Sequence, residues 1–201
     1  MVVLGALVAA MTVASGLLMY LEPGPSVPMP GVPLTSIDRG GDRGQAADNP
    51  HDKLFNTNGV QVPWKSIVIH DSRTSQGSAL TLHRIHQQLG RDGLGYHFVI
   101  DNGPREDDGK IEVGFRWSSQ APGDFFDTRI ATWPDAIGIC LIGNGNQEQF
   151  TETQLNQLVW LVQQLQKRYG IAKDRVYAQI GARTATSSFP DAWFRQQLLN
   201  P

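Results

Sequence analysis

Apolar and polar positions follow two distinct patterns in the later part of the chain. Short runs rich in β-branched residues, typical of buried strands, occupy residues 66–70, 96–100, 110–113, 136–142 and 175–178. Two segments between them repeat apolar residues at helical spacing: residues 78–90, and a longer one from the capping box Thr151–Gln154 to Gly170. Strands interleaved with amphipathic helices predict an α/β fold, a single domain with a mixed β-sheet flanked by helices.

The beginning of the chain has a different character. Residues 2–20 carry no charged side chain and are long enough to cross a bilayer as a helix, so we predict a transmembrane signal anchor over residues 1–21. A cleaved signal peptide is the alternative, although such a peptide normally begins with a basic segment. Residues 22–59 contain many prolines and glycines and predict a linker. The globular domain is then expected over residues 60–201.

Composition narrows the classes of function. The chain has 17 Lys and Arg against 19 Asp and Glu, a formal net charge of -2. Because general nucleic-acid binders usually carry a basic surplus, we expect no nucleic-acid partner. The one cysteine, Cys140, excludes an internal disulfide and is expected to be a packed thiol in an apolar strand. All five histidines lie at or before His97, so the second half of the chain offers no imidazole to a metal.

Three segments, in order along the chain, carry a resemblance to a known family. They are residues 67–70 (IVIH), residues 82–100, which contain GYHFVI, and residues 137–144 (IGICLIGN). Together they resemble the zinc-dependent N-acetylmuramoyl-L-alanine amidases, the family shared with peptidoglycan recognition proteins. The resemblance implies peptidoglycan or a muramyl peptide as the ligand. It also implies a globular domain on the outer, periplasmic or extracellular, side of the cell membrane.

The resemblance further implies a zinc site in which three protein ligands leave one position open for a reactive water. Only His70, after the first predicted strand, matches a ligand position of the family. Tyr96 matches the family's tyrosine, which assists the carbonyl oxygen and the proton transfers. The other two ligands belong to a mid-chain and a C-terminal motif of the family, whose positions fall on Phe125, Gln179 and Phe189, with Asp124, Ser188 and Asp191 as alternatives if the alignment shifts by a residue or two. We therefore expect neither zinc nor another cofactor.

Substrate contacts are predicted for His70, Tyr96, Trp117 and Asn144, and aromatic faces that suit sugars add Phe126 and Trp133 as candidates. A structural role remains open for two of them. His70 can be a hydrogen-bonded residue at a strand end, and Tyr96 a core residue with a bonded hydroxyl. His83 and His86, three residues apart on one predicted helix, are expected to lie on a solvated turn rather than to hold a metal.

Three functions remain open from the sequence. The first is a membrane-anchored amidase-like domain that binds peptidoglycan without zinc catalysis. The second is an active amidase with a rearranged metal site, in which His70 acts with Asp71, Asp124 or Asp191. The third is a scaffold that binds a protein partner through the same groove. The first is the function that we expect, because most ligand positions are substituted.

Overall fold

The computed structural model describes residues 50–104, 107–125, 134–181 and 187–200. All of these belong to one compact unit, Val32–Pro201, and the other unit, Met1–Gly31, lies outside the described residues. The predicted membrane segment, residues 2–20, therefore lies outside them as well. Within the described ranges, no helix has the length and hydropathy needed to cross a membrane.

Five strands form one mixed sheet in the described part of the chain. They are β1 Ser66–Asp71, β2 Phe98–Asn102, β3 Asp108–Val113, β4 Ala136–Leu141 and β5 Val176–Gln179. Their order across the sheet is β3-β2-β4-β1-β5; β3 pairs antiparallel to β2, and the other pairs are parallel. The predicted mixed sheet is confirmed. Because β1, β2, β4 and β5 are parallel, their carboxyl ends meet at one edge of the sheet.

Two long helices flank the sheet, and both start at side-chain caps. Helix α2, Ala79–Gln88, begins where the Ser78 side chain accepts a hydrogen bond from the Thr81 amide. Helix α4, Glu152–Tyr169, begins at the predicted capping box and ends at Gly170 with φ 64°. The shorter helices are α1 Pro50–Lys53, α3 Phe115–Ser118 and α5 Asp191–Gln197, and a turn of 3-10 helix, Lys173–Arg175, precedes β5.

The side chains of the strands alternate between two faces, which build two separate cores. The face toward α4 buries Ile67, Ile69, Phe98, Ile100, Ile137 and Ile139 together with the apolar side of that helix. The face toward α2 holds a smaller cluster of Ala79, Leu82, Leu94, Tyr96, Val99 and Cys140. The predicted site residues His70 and Tyr96 belong to this second face.

The folded part begins N-terminal to the predicted boundary at residue 60. Leu54 and Phe55 are 1% and 8% exposed and pack in the core on the α4 face. Helix α1 lies just before them. The predicted linker, residues 22–59, therefore ends too far along the chain, because its last residues contribute to the hydrophobic core.

Candidate functional site

His70 lies at the carboxyl edge of the sheet, where three parallel strands present side chains to the α2 face. Its Cα is in register with Cys140 on β4 and with Gln179 on β5. Residues in register on parallel strands project to the same face, so these three side chains form a row across the strand ends. His70 is 7% exposed, and Gln179 is half-buried beside it.

A neutral amide lies within hydrogen-bond distance of the His70 ring. His70 Nε2 lies 3.2 Å from Gln179 Oε1. A carbonyl oxygen accepts hydrogen bonds, so this contact is made when Nε2 carries the proton and donates. In that tautomer the lone pair of the ring lies on Nδ1, and Nε2 has none to offer a metal ion. One of the family's substituted ligand positions, Gln179, thus pairs directly with the one that is retained.

An aromatic pair covers the other side of His70. The Tyr96 and Phe125 rings are stacked, with centroids 6.0 Å apart and planes 8° apart, and their centroids lie 5.7 and 5.5 Å from that of His70. Phe125 also lies over Gly138 of β4, where a Cβ atom would come 2.4 Å from Phe125 Cε1. The bare backbone of Gly138 therefore provides the space into which the Phe125 ring fits.

Two buried groups at this site that can ionise, Tyr96 and Cys140, stay neutral near pH 7. Burial is the largest cause that raises the pKa of Tyr96 well above its ordinary value of 10, followed by Cys140 and Asp71. Burial likewise raises the pKa of the Cys140 thiol, which is 0% exposed. The prediction of a packed thiol is confirmed. A protonated phenol and a protonated thiol provide neither a base nor a thiolate nucleophile.

His83 and His86 position the segment that leads to Tyr96. They are 5% and 9% exposed, and their Nδ1 atoms accept hydrogen bonds from the backbone amides of Leu94 at 3.2 Å and Gly95 at 3.0 Å. Burial is the main cause that lowers the pKa of both histidines. The prediction of a solvated turn is therefore wrong. Their spacing on the apolar side of a helix indicated that they could be buried, but it did not identify the backbone amides that they bind.

The carboxylates proposed as replacement ligands are engaged away from His70. Asp71 accepts hydrogen bonds from the amides of Gly145 at 2.9 Å and Gly181 at 3.3 Å, and so ties together the loops that follow β4 and β5. Asp124 lies 3.7 and 3.9 Å from the guanidinium groups of Arg91 and Arg116. The remaining carboxylate, on α5, pairs with a neighbouring arginine on the surface: Asp191 with Arg195 at 2.9 Å.

Two of the predicted site residues lie in the core on the α4 face. Trp117 is 0% exposed and packs 4.7 Å from Phe98, centroid to centroid, which contradicts the predicted substrate contact, because no part of the ring reaches the surface. Phe189 packs against Phe150 and Phe194 on the same side. Its position therefore belongs to the core and not to the surroundings of His70.

Asn144 and Ser188 lie in loops at the edge of the sheet. Asn144 is half-buried in the turn after β4, and its Oδ1 accepts a hydrogen bond from the Asn146 amide at 3.1 Å. Ser188 donates hydrogen bonds to the carbonyl groups of Gly145 and Glu148 and so stabilises the turn after β4. The aromatic candidates Phe126 and Trp133 lie outside the described residues.

The donor set around His70 does not fit a zinc ion. Catalytic zinc takes three protein ligands drawn from imidazole, thiolate and carboxylate groups. Here the ring faces a neutral amide on one side and the Phe125 ring, which has no lone pair, on the other. Across the described ranges, no three His, Cys, Asp or Glu side chains come close enough together to hold a metal.

Comparison with known proteins places this arrangement in a family context. The family described as N-acetylmuramoyl-L-alanine amidase matches residues 60–190. Among solved structures, the Drosophila peptidoglycan recognition protein SD is 19% identical with a TM-score of 0.52, over 70% of this chain and 87% of that chain. The N-acetylmuramoyl-L-alanine amidase LysC from Clostridium intestinale is 22% identical with a TM-score of 0.47, over 72% of this chain and 86% of that chain. At these identities the likeness shows the fold alone. Among curated proteins, none matches the chain.

Proposed function

The chain belongs to the N-acetylmuramoyl-L-alanine amidase family, and from that premise we propose that it binds peptidoglycan or a muramyl peptide at the His70 site without hydrolysing it. The family acts on peptidoglycan, and the carboxyl edge of the sheet brings three of the aligned positions, Tyr96, Phe125 and Gln179, next to His70, where we place the ligand groove. The ligand in this proposal lies against His70, Phe125 and Gln179, and residues 2–20 hold the protein in the cell membrane, with the domain on the outer side.

One observation carries the proposal: the contact between His70 Nε2 and Gln179 Oε1 at 3.2 Å, beside a Phe125 ring seated over Gly138. Among the described residues, a divalent cation in this place would meet one imidazole and one neutral amide, with too little negative charge to offset its desolvation. Without a cation, a water molecule keeps its high pKa and is a poor nucleophile at neutral pH. The protonated phenol of Tyr96 supplies no base in its place.

The same residues are suited to binding. Gln179 and Phe125 are half-buried, so part of an amide and part of an aromatic ring remain in contact with solvent beside His70. A side-chain amide both donates and accepts hydrogen bonds, as the amide groups of a muramyl peptide do. The aromatic face of Phe125 provides an apolar surface for a sugar ring or a methyl group.

Sedimentation of the full-length protein with purified peptidoglycan tests the proposal. The unmodified protein is expected to sediment with the polymer and to release no peptide into the supernatant. Gln179→Ala is expected to weaken binding about fivefold, since one neutral hydrogen bond contributes about 1 kcal/mol. The matched control is Asn156→Ala, which removes an exposed amide on α4 at the opposite face and is expected to bind normally.

Two results would contradict the proposal. Absence of binding by the unmodified protein would favour a protein partner in the groove, and release of peptide would make the chain an active amidase. Tyr96→Phe, which keeps the stacked ring, is the suitable variant at that position. Tyr96→Ala would instead remove a side chain that is only 9% exposed, so a loss of binding could not be separated from a loss of stability.

A further inference from the structure

A second cavity lies at the same edge of the sheet as His70, at the carboxyl end of β2. Its volume is about 250 Å³. It is lined by residues 76–78, which lead into α2, by residues 101–104 at the end of β2, and by Asp107, Lys110 and Glu112 of the neighbouring strand and its approach. None of these residues contributes to the His70 site.

Two buried carboxyl groups form one wall of this cavity. Glu112 is in register with Val99, so it lies diagonally across the strand pair from Asp101, on the same face. The two residues are 8% and 4% exposed. Glu112 Oε2 accepts a hydrogen bond from the Ala79 amide, the first of helix α2, at 2.6 Å. Glu112 thus has a donor on one of its oxygens, whereas Asp101 turns toward Glu112 and the cavity.

The charge of this wall is close to minus one at neutral pH. Burial, followed by the neighbouring Glu112, raises the pKa of Asp101 to about 8, so Asp101 keeps its proton at neutral pH. Among the described lining residues, the other two charged groups, Lys110 and Asp107, offset each other, since Lys110 Nζ lies 3.3 Å from Asp107 Oδ1. The cavity is therefore suited to one positive charge.

Two acceptor atoms at the cavity have no donor among the described residues. Asp101 Oδ1 and Asn102 Oδ1 are both buried and receive no hydrogen bond. The orientation of Asn102 is fixed because its Nδ2 donates to the Ser75 carbonyl at 2.7 Å, which leaves the oxygen as the free end of the amide. A buried acceptor without a donor is destabilising, so the two atoms together point to a ligand that donates hydrogen bonds.

We propose that this cavity binds a primary ammonium group, which is held by Asp101, Glu112 and the side-chain oxygen of Asn102. An ammonium group offers three N–H donors and one positive charge. A calcium ion would need six to eight oxygen ligands, whereas no group of three acidic or histidine side chains converges in the described part of the chain. The chemistry of the cavity therefore favours an organic amine over a metal ion.

The position of the cavity connects it with the His70 groove. Strand β2 lies two strands from β1, and Asp101 lies two residues beyond the level of His70, since Val99, Cys140 and His70 are in register. Strand spacing and rise put the two Cα atoms about 12 Å apart, which is the length of three or four extended residues. The assignment of the ammonium group rests on the proposed function. On that basis the group belongs to a diamino acid in the peptide stem, three or four residues from the groove.

The cavity itself is tested by NMR titration of the full-length protein with Nα-acetyl-L-lysine amide, a probe with one primary amine. We expect saturable shifts of the Asn102, Gly103 and Ala79 amide signals, and none with the Nε-acetylated probe or with Ca²⁺ alone. Asp101→Asn and Glu112→Gln each leave one carboxylate and are expected to retain binding. The double variant D101N/E112Q removes the charge and is expected to weaken binding at least about tenfold.

Three outcomes of the titration would overturn the proposal. Shifts that are absent, that persist with the acetylated probe, or that appear with Ca²⁺ and not with the amine would show that the cavity holds no ammonium group. If the double variant fails to fold, the comparison of the two probes on the unmodified protein still decides.

The link to peptidoglycan is tested separately, by sedimentation with polymer whose free amino groups have been acetylated. Acetylation is expected to weaken binding of the unmodified protein and to leave binding of the double variant unchanged. Equal binding to both polymers would overturn the assignment to the peptide stem. Failure to bind either polymer would instead count against the proposed function, while the titration with the lysine probe would still decide the cavity.

Discussion

His97 and Asp101 are two buried residues whose ionisation affects stability in opposite directions. His97 is 0% exposed; its Nδ1 accepts from the Gly138 amide at 2.8 Å and its Nε2 lies 3.0 Å from the Ala121 carbonyl, to which it donates. Burial lowers the pKa of His97 from 6.5 to about 4. Between pH 6.5 and 4 the unfolded chain therefore binds a proton that the folded protein does not bind. The free energy of unfolding falls by up to about 3 kcal/mol as the pH falls through this range.

Asp101 makes the free energy of unfolding change with pH in the opposite direction. Its pKa in the folded protein is raised from 3.8 to about 8, so the folded protein retains a proton that the unfolded chain loses. The contribution of Asp101 to stability is therefore present at low pH and is lost as the pH rises toward 8. Between pH 4 and 6.5 the two residues offset each other, and above pH 6.5 only Asp101 acts.

Asp101→Asn is expected to change the pH dependence of stability in both windows. As the pH falls from 6.5 toward 4, the variant should lose more stability than the unmodified protein, because His97 is no longer offset. As the pH rises from 6.5 to 8, the unmodified protein should lose stability and the variant should not. Urea denaturation across this pH range measures both slopes. Identical profiles for the two proteins would contradict the assignment.

Residue type alone predicted some of these environments and missed others. Cys140 was predicted as a packed thiol because its sequence neighbours are apolar, and His70 was placed at the end of a strand by the run that precedes it. The seating of Phe125 over Gly138 was not predictable, since it depends on a contact between a loop and a strand far apart in the sequence. Trp117 was assigned to the groove because an aromatic ring suits a sugar as well as it suits a core, and the sequence does not distinguish these uses.

At the scale of elements, Gln154 connects α4 to the sheet. Its Oε1 accepts from the Thr151 amide at 3.2 Å, which completes the capping box. Its Nε2 donates to the carbonyl groups of Ile100 at 3.2 Å and Ile142 at 2.8 Å, at the ends of β2 and β4. The residue is 1% exposed. One side chain thus fixes the start of the helix and the two strands beneath it.

Gln154→Ala is expected to lower the free energy of unfolding by about 2–3 kcal/mol, because the buried Ile142 carbonyl loses its side-chain donor and the Ile100 carbonyl keeps only the Ile142 amide. Gln154→Glu should be at least as damaging, although glutamate serves equally well in a capping box, because a carboxylate oxygen would face two carbonyl oxygens. Asn156→Ala, on the exposed side of the same helix, is expected to change stability by less than about 0.5 kcal/mol. Urea denaturation provides the comparison, and full stability of the glutamate variant would contradict the account.

The sequence predicted the long helices and the strands but not the short helices. Five strands and two long helices followed from apolar runs and helical spacing, with boundaries that differ by one or two residues. Helices α1 and α3 have four residues each, too few to repeat a period of 3.6, so no pattern indicated them. The seven residues of α5 were also missed, because only Phe194 among them is buried.

At the scale of the whole molecule, we expect residues 2–20 to anchor the protein in the membrane. The full-length protein should remain in the membrane fraction after an alkaline wash, because about 19 apolar residues are sufficient to span the hydrocarbon core. A variant that lacks residues 1–45 should be soluble and folded. Recovery of the full-length protein in the soluble fraction would show that the segment is no anchor.

The start of the folded domain makes a second prediction at this scale. A fragment of residues 60–201 lacks Leu54 and Phe55, which are buried in the core. It is expected to be less stable than a fragment of residues 46–201 by several kcal/mol, since the loss of a single large core side chain costs about 2–5 kcal/mol. Thermal unfolding of the two fragments measures the difference. Equal stability would mean that these contacts contribute little.

The family was predictable from the sequence, whereas the arrangement of the site was predictable only in part. Three short segments indicated the amidase family, which the match over residues 60–190 confirms. The pairing of Gln179 with His70 was not predicted, because the apolar runs do not show which strands lie side by side in the sheet. The sequence did not show that Phe189 belongs to the opposite core, since its neighbours in space, Phe150 and Phe194, are identified only by the fold.

The zinc content of the purified full-length protein, after equilibration with zinc and removal of the unbound metal, tests the central claim most directly. With a neutral amide beside His70 and a phenyl ring in place of a second imidazole, the protein is expected to retain far less than one equivalent. One equivalent of tightly bound zinc would contradict the account. It would show that other groups complete a metal centre at the end of β1, and it would favour the active amidase.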